Sequence, residues 1–251
     1  MFTTKRFYTI LMVGLFIVAG LVFSLKNSSA ENKISENRVV VSSSEMAKKD
    51  SGATEAKTVI VESTKEKTGV IIDVNEALKD RVLGNPNAPV TIVEYASMTC
   101  GHCAKFHNKH LGNVKRELID TGKAKLILRD YPLDGLALRA SMLARCAPKD
   151  KYFNLVEVLF ANQEHWTTSK NPLDSLSKLG RLAGVSKDTF NACLSNKELE
   201  AGILRGLRIA QKEFKISSTP TFIFNGGSQK LVGVHGVEEF QDVVKLLSQG
   251  K

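Results

Sequence analysis

The sequence has few cysteines, a single tryptophan and no long run of charges of one sign. Four cysteines in 251 residues are too few for a disulfide scaffold. Lys and Arg outnumber Asp and Glu by 35 to 26, but the basic residues are scattered and do not alternate with aromatics, so no nucleic-acid partner is indicated. An apolar content of 43% suffices for one or two domains with a buried core, which excludes disorder throughout.

The first 30 residues are typical of an export segment. Lys5 and Arg6 precede an uncharged, mostly apolar run over residues 7–25, and small residues follow at positions 28 and 30, which fits a signal-peptidase site. The run is also long enough to cross about 30 Å of hydrocarbon as a helix. A cleaved signal peptide and a retained membrane anchor are therefore both open.

Residues 31–68 are predicted to be a flexible spacer. They contain seven basic and seven acidic residues and no Phe, Tyr, Trp or Leu. Such a segment buries too little apolar surface to offset the entropy lost on ordering. A spacer at this place favours a domain tethered to a membrane by residues 7–25.

From Val70 onward the sequence alternates between strand and helix patterns, which indicates an α/β fold. Strands are predicted over 90–95 and 124–129, with one helix between them that Thr99 caps and Gly122 ends. This unit predicts two parallel strands joined by a right-handed crossover. Five predicted helices follow Pro132, and then a hairpin with strands over 221–224 and 230–234 and a terminal helix from Val237.

The segment Cys100-Gly101-His102-Cys103 follows the first strand directly and begins the helix. Free backbone N–H groups and the helix dipole stabilise a thiolate at Cys100, so its pKa is expected below the free value of about 8.5. His102 adds to this stabilisation as a cation or donor. Cys103 lies on the same helix face and can close a disulfide with Cys100. The sequence thus predicts a disulfide that is readily passed to another protein.

A structural disulfide and a metal site are the alternatives at this cysteine pair. Cys100, Cys103, His107 and His110 have a spacing similar to that of zinc ligands, but ten residues of helix rise about 15 Å, too far for Cys100 and His110 to share one ion. A copper site formed by the two cysteines and a distant histidine such as His235 stays open. His107 and His110 are predicted to be ordinary residues of the helix surface.

The Thr219-Pro220 step at the start of a predicted strand is unusual, because proline removes a backbone donor from a central strand. A cis peptide bond explains its position. Such a turn, lying against the cysteine pair, would offer the Thr219 backbone to an extended peptide. The alternative is a trans proline that only starts the strand.

Glu94 interrupts the apolar strand six residues before Cys100. On a strand covered on both faces, the acid is desolvated and holds its proton more tightly. It can then exchange protons with a buried Cys103 thiol through water. The alternative is a solvated Glu94 at a sheet edge.

Together, the strand, the CGHC helix start, the helical segment and TPTF resemble the DsbA-like thiol:disulfide oxidoreductases of the thioredoxin superfamily. The resemblance covers about residues 70–251. The RDYPL segment at 129–133 and the second pair, Cys146 and Cys193, are most similar to the alphaproteobacterial branch. The implied fold is a thioredoxin-like domain over 69–251 with a helical insertion at about 134–214.

This resemblance implies a role for each site residue and requires no cofactor. Cys100 is the nucleophile, Cys103 the resolving cysteine, Glu94 the buried acid, and Thr219-Pro220 the cis-proline loop. It also implies a periplasmic protein that oxidises reduced, unfolded exported proteins. A membrane partner of the DsbB type, linked to quinones, would reoxidise the cysteines.

Two departures from the best-known DsbA enzymes leave alternatives open. Gly101 stands where they have proline, and Thr219 where they usually have valine, which favours a less oxidising pair. A reductase or isomerase, and a copper carrier without enzyme activity, are the alternatives. A dimeric isomerase of the DsbC type is disfavoured because residues 31–68 are too polar for its dimerisation domain, so a monomer is expected.

Cys146 and Cys193 lie 47 positions apart in the predicted helical block. In an exported protein we predict a structural disulfide between them, worth up to about 4 kcal/mol in the chain-entropy model. Two buried free thiols are the alternative.

Overall fold

A computed structural model of the chain describes residues 69–249. The predicted export segment (1–30) and spacer (31–68) lie outside the described residues. Within 69–249, no helix is both long and apolar enough to cross a membrane.

The centre of the fold is a five-stranded mixed sheet with the strand order β1-β3-β2-β4-β5. The parallel pairing of β2 with β3 and the antiparallel hairpin of β4 and β5 are as predicted, while β2 pairs antiparallel with β4. β-Branched and aromatic residues form the central strands, which are buried on both faces. The strands are β1 (Val82–Leu83), β2 (Val90–Ala96), β3 (Ala124–Asp130), β4 (Thr221–Phe224) and β5 (Gln229–Val232).

Within residues 69–249, ten α-helices surround this sheet. Six of them, α4 to α9, form the predicted helical segment between β3 and β4. The helices are α1 (Val74–Leu78), α2 (Gly101–Lys109), α3 (Leu111–Val114), α4 (Gly135–Arg145), α5 (Tyr152–Ala161), α6 (Gln163–Thr167), α7 (Pro172–Leu182), α8 (Lys187–Ser195), α9 (Lys197–Glu213) and α10 (Val237–Gln249).

The sheet separates two apolar clusters. On one face, Phe106 of α2 and Phe240 of α10 pack with Phe222 and Phe224 of β4. On the other face, Ala210 of α9 packs among residues of β2, β3 and β4. A third cluster joins α2 to the helical segment and includes Cys103. The cysteine pair therefore lies where the sheet domain and the helical segment meet.

The prediction of a single helix between β2 and β3 is wrong in two respects. The observed helix is interrupted at His110, and a π-helical turn at Lys115–Ile119 follows α3. Its N-cap is Cys100 rather than Thr99, whose hydroxyl instead donates a 2.6 Å hydrogen bond to Asp134 at the start of α4. The short elements α1, β1 and α6 were not predicted, because two to five residues carry too little periodicity.

Candidate active site

Cys100 and Cys103 lie at the start of α2, directly after the strand that places them. Cys100 is the N-cap residue, with extended backbone angles, and its thiol is half-buried. Cys103 faces the core and is fully buried. Both thiols are free. One sulfur is thus open to attack by a protein substrate and the other is screened from solvent, as stepwise thiol–disulfide exchange requires.

The two thiols differ strongly in acidity. A hydrogen bond from the Cys103 thiol lowers the pKa of Cys100 to about 5, against the opposing effect of burial, and the backbone N–H groups of Cys103 and His102 lower it further. Burial raises the pKa of Cys103 far above its usual range, and the negative charge of Glu94 adds to this. At neutral pH, Cys100 is therefore the thiolate and Cys103 the thiol.

The turn before β4 lies against Cys100. The Thr219-Pro220 peptide bond is cis. The Cys100 sulfur lies 3.3 Å from the Thr219 carbonyl oxygen, which accepts a hydrogen bond from the protonated thiol. The Pro220 carbonyl is already paired, with the backbone N–H of Gly233. Thr219 thus presents its backbone at the cysteine pair rather than within the sheet.

Glu94 is buried on β2, and its partner is a residue that the sequence analysis placed wrongly. His107 was predicted to lie on the helix surface, but its side chain is only 2% exposed. Its Nε2 atom lies 3.1 Å from each oxygen of Glu94, whose side chain is 0% exposed. The available signal was helical spacing, because His107 is one turn beyond Cys103 and so shares its inward face.

The loop that carries Cys100 is held by the helical segment. Gln163 of α6 donates hydrogen bonds from Nε2 to the carbonyl oxygens of Met98 (2.8 Å) and Cys100 (3.0 Å). Asp134 accepts the hydrogen bond from Thr99 described above. Sequence reasoning missed Gln163, and no local pattern marks it, because its partners lie more than 60 positions away.

The remaining candidate residues lie apart from these contacts or act through the backbone. His102 is exposed, and it contributes to the stability of the Cys100 thiolate through its backbone N–H. Over residues 69–249, no three His, Cys, Asp or Glu side chains gather closely enough to hold a metal ion. The copper site considered for Cys100, Cys103 and His235 is therefore not assembled there.

The second cysteine pair lies in the helical segment. Cys146, the C-cap residue of α4, is joined by a disulfide to Cys193 of α8, with their Cα atoms 6.3 Å apart. Cys193 is fully buried. The bridge ties together two helices that share one apolar cluster with α1 and α9.

The chain is similar to known proteins in both sequence and structure. A family model described as thioredoxin matches residues 76–245. The chain is 32% identical over 148 residues to a Rickettsia bellii protein named "Putative protein-disulfide oxidoreductase", covering 59% of this chain and 57% of that one. It also matches the crystal structure of Wolbachia pipientis alpha-DsbA1 with 32% identity and a TM-score of 0.62, covering 67% of this chain and 90% of that one. The chain thus spans less than two thirds of the length of the Rickettsia relative.

Proposed function

The chain belongs to the thioredoxin family and, within it, to the DsbA-like proteins, and we propose that it donates a disulfide to other proteins by dithiol exchange at Cys100 and Cys103. The observation that carries this proposal is the placement of the cysteine pair at the start of α2, with Cys100 half-buried and Cys103 fully buried. The low pKa of Cys100 supports it. A thiolate with a pKa of about 5 stabilises the reduced pair relative to the disulfide. The oxidised pair is then a good disulfide donor.

The reaction proceeds in two exchanges. A substrate thiolate attacks the Cys100 sulfur, a bond forms between the two sulfurs, and Cys103 leaves and is protonated. A second substrate thiolate then attacks the substrate sulfur of this mixed disulfide, and Cys100 leaves as a thiolate. The substrate loses two electrons and the cysteine pair gains them. The half-buried position of Cys100 and the full burial of Cys103 support this order of attack.

Thr219 and Pro220 are proposed to bind the substrate. The Thr219 backbone lies beside the attacked sulfur, where an extended peptide can pair with it as an added strand. Unfolded, reduced polypeptides are the substrates that such pairing favours, because they offer free backbone groups. Glu94 is proposed as the buried acid that exchanges a proton with Cys103.

We place the protein in the periplasm. The apolar run over 7–25 with its preceding Lys5 and Arg6 supports export, either with cleavage or with a retained anchor. The disulfide between Cys146 and Cys193 is also typical of an oxidising compartment. After each turnover a DsbB-type, quinone-linked membrane oxidase would restore the Cys100–Cys103 disulfide. The protein is proposed to act as a monomer.

The test is transfer of the disulfide to a reduced model protein. Oxidised chain should regenerate the disulfides of the model protein, and Cys100→Ser should abolish this transfer. Retained transfer in that variant would contradict the proposal. Equilibration against glutathione gives the potential of the pair. A value well above that of thioredoxin, about −270 mV, is expected for a donor, whereas a value near it would indicate a reductase.

A further inference from the structure

We propose that His107 is a positioning residue that holds the Glu94 carboxylate ready to exchange a proton with Cys103. This inference rests on the proposed function and deepens it. Its basis is the buried contact between the two side chains, with Nε2 of His107 lying 3.1 Å from each carboxylate oxygen.

Glu94 needs such a partner because a carboxylate out of water is costly unless hydrogen bonds or an opposite charge compensate it. Among residues 69–249, His107 supplies the side-chain hydrogen bonds that Glu94 receives. An N–H donor to a carboxylate favours its ionised form. His107 therefore determines how readily Glu94 gives up or takes a proton.

The surroundings of the His107 ring fix its orientation and favour one tautomer. The ring stacks on Phe160 of α5, with the centroids 4.2 Å apart and the planes inclined by 29°. Its Nδ1 atom is buried and has no hydrogen-bond partner in the described part of the chain. A proton on Nδ1 would thus be an unsatisfied donor, so the neutral ring with its proton on Nε2 is favoured. His107 then donates to Glu94 and does not itself carry the transferred proton.

The other groups around Glu94 and His107 are apolar, neutral or exposed. Cys103 is therefore the group that exchanges a proton with Glu94. On β3 and β4, Leu128 and Phe222 flank Glu94 in the sheet and are apolar. On α5, the Tyr152 hydroxyl is buried, and burial raises its pKa above the usual range, so it stays neutral. By contrast, the charge of Glu94 acts on Cys103 and raises the pKa of its thiol. The other charged groups on α2 and α5 are exposed: Lys105, Lys109 and Glu157.

A proton passes between Glu94 and Cys103 in both directions of the exchange. When a substrate thiolate attacks Cys100, Cys103 leaves as a thiolate and takes the proton of the Glu94 carboxyl group. In the reverse step, the Cys103 thiol gives its proton to the Glu94 carboxylate and the Cys103 sulfur bonds to the Cys100 sulfur. As this bond forms, the bond between Cys100 and the other half of the mixed disulfide breaks, and that half departs as a thiolate.

The reverse step can be measured on the full chain. Reduced chain is mixed with an excess of an aromatic disulfide whose thiolate product absorbs light. Cys100 releases the first thiolate, and the attack of Cys103 on the mixed disulfide releases the second. The rate of the second release as a function of pH reports the ionisation of Glu94 during the Cys103 step.

His107→Phe keeps a ring against Phe160 and removes the donor. We expect the midpoint of this pH profile to rise by about one unit, which slows the second release about tenfold below the midpoint. His107→Gln retains an N–H donor and should restore most of the rate. In a Glu94→Gln background, His107→Phe should change nothing further, since the two residues act as one unit.

An unchanged midpoint in His107→Phe, or a shift that persists in the Glu94→Gln background, would overturn the role of His107. A measurement on the unaltered chain is independent of how the variants fold: ¹⁵N NMR should show Nε2 protonated and Nδ1 bare, and the opposite tautomer would also overturn it. Failure of the unaltered chain to release the second thiolate would instead contradict the proposed dithiol exchange.

Discussion

Gln163 of α6 donates a 3.0 Å hydrogen bond to the carbonyl oxygen of Cys100, and so fixes the reactive cysteine to the helical segment. The same amide nitrogen donates to Met98, two residues earlier. Gln163→Glu keeps the shape of the side chain but removes both donors and places a carboxylate beside two carbonyl oxygens. We expect a loss of about 1–3 kcal/mol in the free energy of unfolding and slower disulfide transfer.

Urea unfolding and transfer to a reduced model protein measure the two effects of Gln163→Glu. Gln229→Glu is the matched control, because Gln229 is exposed on β5, and it should leave both quantities unchanged. Equal stability and equal transfer rates in the two variants would show that Gln163 does not hold the loop.

The acidity of Cys100 should depend on the thiol of Cys103, which is the largest cause of its low pKa. Thiolate absorbance of the reduced chain should titrate with a midpoint near pH 5. Cys103→Ala removes the donor, so the midpoint should move up toward the ordinary thiol range, whereas Cys103→Ser retains an O–H donor and should stay closer to the original. Equal midpoints in the two variants would contradict this assignment.

The same shift makes the stability of the reduced chain depend on pH. Because the Cys100 pKa is lower in the folded chain than in the unfolded one, the thiolate stabilises the fold fully above the unfolded pKa of about 8.5. This stabilisation is lost as the pH falls through about 5. The oxidised chain lacks the thiolate and should not show this dependence in the same pH window.

Local patterns predicted the parts of the site that one segment forms by itself. β4 has its predicted bounds, and the cysteine pair begins α2 directly after β2. The misplacement of His107 has a physical reason: an imidazole is compatible with either surface or core, and only a partner on another element decides between them. That partner, Glu94, is 13 positions away on β2. Gln163 was missed for the same reason, since tertiary contacts leave no periodic signal.

Asp130 and Arg145 form a buried ion pair between β3 and α4, with Nε of Arg145 2.7 Å from the carboxylate. Arg145→Met leaves Asp130 buried without its partner, so we expect a loss of about 3–5 kcal/mol in the free energy of unfolding. Asp130→Asn in the same chain should recover part of the loss, because it removes the unpaired charge.

Urea denaturation tests the Asp130–Arg145 pair. Arg116 and Glu117 form an exposed ion pair, and Arg116→Met should have no measurable effect, since exposed pairs contribute little. A similar loss in Arg145→Met and Arg116→Met would show that burial of the pair does not determine its contribution.

The Cys146–Cys193 bridge should stabilise the chain without taking part in transfer. The double change Cys146→Ala and Cys193→Ala should lower the free energy of unfolding by up to about 4 kcal/mol, because the bridge closes a long loop of the unfolded chain. Transfer by Cys100 should keep its rate at temperatures where the variant is folded. Finding two alkylatable thiols in the unreduced, denatured chain, beyond those of Cys100 and Cys103, would show that the bridge is absent.

Gly202 and Gly206 occupy successive turns of α9 and should respond differently to alanine. A Cβ atom at Gly206 has no heavy atom within 4 Å, so Gly206→Ala gains helix propensity and should stabilise the chain by up to about 1 kcal/mol. At Gly202 the added carbon would collide with both terminal carbons of the Leu78 side chain on α1. Gly202→Ala should therefore lose this gain and loosen the contact between α1 and α9. Thermal unfolding compares the two variants. Equal stabilisation by both would mean that Leu78 of α1 does not pack closely on Gly202 of α9.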